Sequence, residues 1–98
     1  MSATPIAREV VIVNPQGLHA RPAHQVVKTA MQFRSQVRIV KGKDSIDAKS
    51  ILDLLTLGAG NGTKLRLEAS GDDAQEAIDA LAQLVEHGFG ELKPETQE

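Results

Sequence analysis

The sequence predicts a two-layer α+β sandwich of order β-α-β-β-α-β-α, an open-faced fold with three helices on one face of a four-stranded, mainly antiparallel sheet. Three observations predict it. The apolar period switches along the chain between two, which suits strands, and 3.6, which suits helices. The stretch Thr63 to Ala69 alternates apolar and polar residues throughout, so one face of the sheet is wet and the helices cover only the other. The chain has 98 residues and shows neither an internal repeat nor a linker, which suits one domain with one core.

Ile6 to Val13 ends in an apolar run and reads as the first strand. Asn14 to Gly17 reads as a turn or loop. From about Ala20 to Met31 the pattern is helical. Ala20, Ala23, Val27 and Ala30 are expected on the apolar face, with Arg21, Gln25, Lys28 and Gln32 opposite. Pro22 falls in the first turn, where its missing N–H is harmless. Val37 to Lys41 reads as the second strand, with a tight turn over residues 41–44 leading into a third, Ser45 to Ala48. Ser50 is expected to cap a short helix over Ile51 to Leu57, with Asp53 completing a capping box and Gly58, Gly60 and Gly62 ending it.

Thr63 to Ala69 is the fourth strand. Asp72 and Asp73 then open the last helix, where acidic groups complement its dipole. Its expected core stripe is Ala74, Ala77, Ile78, Leu81, Leu84 and Val85, and His87 and Gly88 close it. The compact core is expected over about residues 6–90. Residues 91–98 read as a mobile polar tail.

Composition excludes several functions. Cysteine is absent, which removes disulfides, thiol catalysis and thiolate metal sites. The net charge is -2 with scattered basic residues, and Phe33 and Phe89 are the only aromatics. Both facts argue against a nucleic-acid module, which asks for a basic face and stacking platforms. No apolar run approaches the about 18 residues of a membrane span. No leader is apparent in Met1 to Pro5, so a cytoplasmic protein without membrane insertion is expected. No cofactor or metal is indicated.

One place concentrates chemistry. His19 lies where a Gly-containing loop meets a helix start, which offers unpaired N–H groups and a partial positive charge, a natural anion site. Arg21 adds a permanently charged fork of donors matched to phosphate oxygens. Imidazole is a good nucleophile near neutral pH. Together they suit uptake of a phosphoryl group without a metal. A hydrolase would need a general acid or base beside the nucleophile, and none is assembled near His19. His24 reads as a half-buried surface residue and His87 as a helix-end cation.

The heptapeptide Gly17-Leu18-His19-Ala20-Arg21-Pro22-Ala23 resembles the active-site signature of the HPr family, the histidine-containing phosphocarriers of the bacterial phosphoenolpyruvate-dependent sugar phosphotransferase system. Ala48-Lys49-Ser50-Ile51-Leu52 resembles the family's second signature, around its regulatory serine. Leu57-Gly58 and the Gly-rich turn into Leu65 also fit. The resemblance implies sheet order 1-4-2-3, phosphate carried on Nδ1 of His19, support from Arg21, and Pro22 as the helix-start proline. It implies enzyme I as donor and enzyme IIA domains as acceptors in sugar uptake, a substrate of other enzymes rather than a free-standing catalyst. It also implies modification of Ser50 by HPr kinase/phosphorylase. Asp53 departs from the family's usual Gly or basic residue, and its charge would oppose a phosphate on Ser50; Ser50 would otherwise be a plain N-cap.

In the helix after Ser50, Leu54 and Leu57 are assigned to the core. Ile51, Leu52 and Leu55 then form an exposed patch of the kind that marks a protein contact, and the family docks partners through this helix. Lys28 and Lys49 would add steering charge. A monomer fits a carrier that exposes one site to several partners. The alternative is a regulatory adaptor acting through Ser50 and the adjacent helix; retention of His19 and Arg21 argues against a purely regulatory role.

Overall fold

The structure, a computed structural model, describes residues 5–91. Four strands, β1 (Ile6–Val11), β2 (Gln36–Lys41), β3 (Asp44–Asp47) and β4 (Lys64–Ser70), form one sheet of order β1-β4-β2-β3 in which every pair is antiparallel. Three helices accompany it: α1 (Ala20–Ala30), α2 (Ile51–Leu57) and α3 (Ala74–Glu86). The element order and the sheet order are those expected.

The alternation of β4 sets the layers. Leu65, Leu67 and Ala69 are buried against the helices, while Lys64 and Arg66 face solvent and Glu68 is half-buried. In register, Ile39 sits opposite Leu67 and Val37 opposite Ala69, and Val10 opposite Leu65. One continuous apolar floor results. α3 lies across β1 and β4, and α1 packs on both α3 and α2. Arg8 clamps β1 to α3 through Glu86 at 2.8 Å.

Several expectations need correction. β1 ends at Val11 rather than Val13. The chain still pairs beyond it, because Ile12 donates to the Thr63 carbonyl at 2.9 Å and accepts from Gly62 N–H at 2.7 Å. β3 begins at Asp44 and ends at Asp47. The buried stripe of α1 is Pro22, Ala23, Val26 and Ala30; Ala20 is exposed and Val27 only half-buried. Adjacent valines at 26 and 27 left the rotation of the helix open, and Pro22, read only for its backbone, also packs. Ala82 takes the place assigned to Leu84 in the stripe of α3.

Two polar residues also behave differently from expectation. Asp73 precedes α3 without a side-chain cap. Its carboxylate instead accepts from the N–H groups of Arg34 and Ser35, each at 2.9 Å, and from the Ser35 hydroxyl. The capping box at Ser50 is half-formed. Its oxygen accepts from Asp53 N–H at 3.3 Å, while Ser50 N–H bonds to the Asp47 carbonyl rather than to Asp53. Residues 92–98 of the expected tail lie outside the described residues. Its first member, Glu91, is held in place.

Candidate functional site

The His19 loop is built on Gly17. Its φ of +67° is left-handed, and a side chain there would collide with the Ala59 carbonyl. Close approach lets Leu18 donate to the same carbonyl at 2.9 Å and bury its side chain. Asn14, fully buried, donates through Nδ2 to the Gly17 carbonyl at 2.8 Å. The loop is thus fixed on both sides before α1 begins.

His19 is the N-cap of α1, in extended conformation, and its side chain takes no part in capping. The first helical bond runs from Ala23 N–H to the His19 carbonyl at 2.9 Å. The amides of Ala20 and Arg21 lie before that bond and Pro22 has none, so the helix start leaves two donors without an intrahelical partner. Arg21 is exposed and forms none of the ion pairs among the described residues, so its guanidinium is available to an anion. No group of three or more His, Asp or Glu side chains converges on a metal position among the described residues.

Sequence reasoning missed Glu91. Its carboxylate lies 3.0 Å (Oε2) and 3.2 Å (Oε1) from Nε2 of His19, and Oε1 also accepts from Asn14 Nδ2 at 2.9 Å. Burial raises the Glu91 pKa, but the hydrogen bonds from Asn14 and His19 and the charges of His19 and Arg21 outweigh it and hold the carboxyl below its ordinary range. An ionised carboxylate has acceptors only, so Nε2 is the donor and carries the ring proton. The neutral ring therefore keeps the lone pair of Nδ1 free.

Glu91 reaches this place through a single 3₁₀ turn, Gly88–Gly90. Its three residues have left-handed φ values of 63°, 57° and 75°. Phe89 in that conformation costs on the order of 1 kcal/mol. Its ring is buried in the core, and Gln25 donates to its carbonyl at 3.3 Å. The Gly-Phe-Gly run after His87 was the available signal, because a buried aromatic just past a helix end turns the chain back onto the fold.

The remaining predicted residues fall on neighbouring elements. Ile51, Leu52 and Leu55 are exposed, Leu52 at 71%, whereas Leu54 is fully buried and Leu57 nearly so. They stand on α2, which packs beside α1. Ser50 is half-buried at the start of α2. Lys49 is tied down, its Nζ donating to the Phe33 carbonyl at 2.9 Å, and so is less free to steer than expected. Lys28 lies in the last turn of α1, about 13 Å along the axis from His19 at about 1.5 Å per residue. His24 and His87 are exposed, His24 more so than expected.

A family model describing the PTS HPr component phosphorylation site matches residues 6–87. The chain belongs to the HPr family. It is 42% identical over 86 residues to the phosphocarrier protein HPr of Cupriavidus necator, covering 88% of this chain and 97% of that one. A crystal structure of HPr-C-His from Thermoanaerobacter tengcongensis superposes with a TM-score of 0.86 at 43% identity, over 90% of this chain and 99% of that one. A crystal structure of an HPr dimer from the same organism superposes at 0.71 with 45% identity, over 86% and 99% of the two chains. Glu91 lies beyond the residues matched by the family model.

Proposed function

We propose that this HPr-family chain is a phosphocarrier of the phosphoenolpyruvate-dependent phosphotransferase system, taking its phosphoryl group on Nδ1 of His19. The observation that carries this reading is the half-exposed His19 ring at the start of α1, with Nδ1 unpartnered among the described residues and Arg21 two residues on. The phosphoryl group arrives from a phosphorylated donor enzyme, enzyme I. As the bond to the donor breaks, the Nδ1 lone pair forms the new N–P bond. Charge on the three phosphoryl oxygens then faces the Ala20 and Arg21 amides and the Arg21 guanidinium. Enzyme IIA domains reverse these steps and carry the group toward sugar uptake. Nothing in this exchange requires the carrier to supply a general acid.

Ile51, Leu52 and Leu55 on α2, which packs on α1, supply apolar contact for both partners, with Lys28 as a steering charge and Lys49 as a rim residue. Among the described residues no helix is long and apolar enough to cross a membrane. A monomer working in the cytoplasm fits a carrier that shows one face to successive partners. Ser50 is a candidate for modification by HPr kinase/phosphorylase. A phosphate there would keep an acceptor at the start of α2 while standing one turn from the Asp53 carboxylate, and the two effects oppose each other.

Labelled phosphoenolpyruvate and enzyme I are expected to place one acid-labile phosphate on the chain, mapping to His19, and His19→Ala is expected to take up none. Labelling of His19→Ala at the wild-type level sinks the assignment.

A further inference from the structure

We infer that Glu91, anchored by Asn14, is a positioning residue that holds the His19 ring in its reactive tautomer and balances the charge the ring acquires with phosphate. The inference rests on His19 as the acceptor. Its geometry is a relay of three side chains. The two protons of Asn14 Nδ2 go to the Gly17 carbonyl at 2.8 Å and to Glu91 Oε1 at 2.9 Å, so one buried amide ties the His19 loop to Glu91. Glu91 in turn accepts from Nε2 at 3.0 and 3.2 Å, which fixes the ring plane from the side away from Nδ1. The left-handed Gly88-Phe89-Gly90 turn, anchored by the buried Phe89, delivers the carboxylate.

This arrangement separates two jobs that a lone histidine must do together. Nδ1 forms the N–P bond with its lone pair while the donor's bond to phosphorus breaks. The ring thereby becomes cationic, with its proton still on Nε2, where Glu91 accepts it. When the group moves on, the N–P electron pair returns to Nδ1 and the neutral Nε2–H tautomer is restored. The proton stays on Nε2 throughout, and Glu91 meets the cationic ring at close range in a partly desolvated setting.

The test compares wild type with Glu91→Gln, Glu91→Ala and Asn14→Leu. Three quantities are read: initial phosphoryl uptake from enzyme I and phosphoenolpyruvate, ring ¹⁵N NMR of His19 with exchange of its Nε2 proton, and the urea midpoint. Glu91→Ala is expected to slow uptake by about three- to tenfold, the size of one ordinary net hydrogen bond in a partly exposed site. It should also speed exchange of the Nε2 proton. Glu91→Gln keeps an acceptor but no charge, and is expected to fall between the two at an unchanged urea midpoint. Asn14→Leu is expected to reproduce the faster proton exchange although it does not touch the ring. If His19 is labelled in wild type and both Glu91 variants match it in rate and in ring ¹⁵N pattern, the positioning role is wrong and the carrier reading stands. Slower uptake that only follows a lowered urea midpoint, with the ring spectrum unchanged, also overturns it. If wild type carries its phosphate on another residue, the carrier assignment of His19 falls and this inference with it.

Discussion

At residue scale, Gly17 holds the whole approach to His19. Its φ is +67° and the Ala59 carbonyl occupies the place a side chain would take, so Gly17→Ala meets both backbone strain and a clash with rigid main chain. The loop must lift off residues 58–60 to relieve it, losing the Leu18 to Ala59 bond. Gly17→Ala is expected to destabilise the fold by about 1–3 kcal/mol, read as a lowered urea midpoint, and to slow phosphoryl uptake more than stability alone explains. The glycine, the histidine and the arginine were all legible in the sequence, because they lie within five consecutive positions of a recognisable signature. Glu91 was not, because it stands 72 positions from its partner and contact over that separation is a property of the fold. Asn14 read as an ordinary turn residue. Only the burial of its amide and the two acceptors it satisfies distinguish it from the many asparagines that mark loops.

At element scale, α2 divides its leucines between two surfaces. Leu54 is fully buried and Leu52 is 71% exposed on the same seven-residue helix. Leu54→Ala removes core methyl groups from a fully buried site, and is expected to cost about 2–5 kcal/mol in urea unfolding. Leu52→Ala is expected to change stability by less than about 0.5 kcal/mol while raising the KM of enzyme I for the carrier. A Leu52→Ala protein with a wild-type KM would remove the patch from the docking surface. This division was readable in advance because a short helix with five large apolar residues has more apolar arc than one core can cover. The rotation of α1 was not, since Val26 and Val27 are chemically equivalent and packing against α2 and α3 chose between them. The same holds at Asp73, whose position before a helix suggested dipole compensation, although the nearby Arg34 and Ser35 amides captured its carboxylate.

At the scale of the whole molecule, that capture joins the two halves of the chain. Asp73 stands between β4 and α3, and the residues it binds, Arg34 and Ser35, lie between α1 and β2, so one carboxylate ties these two connections together. The Ser35 hydroxyl first, and then the Arg34 N–H, hold its pKa down from 3.8 to about 2. A group whose pKa is lower folded than unfolded binds fewer protons in the native state. Its contribution to stability is therefore complete above pH 3.8 and is lost as pH falls toward 2. Glu91, also depressed, acts with the same sign. Wild type is expected to lose thermal stability progressively across that acid window. Asp73→Asn keeps an oxygen acceptor for one amide but cannot titrate. Its Tm is expected to lie below that of wild type at pH 7 and to fall less steeply from pH 4 to pH 2, so that the two curves converge at the acid end. Parallel curves over that window in a calorimetric pH series would show that the acid sensitivity of the fold comes from carboxylates other than this latch.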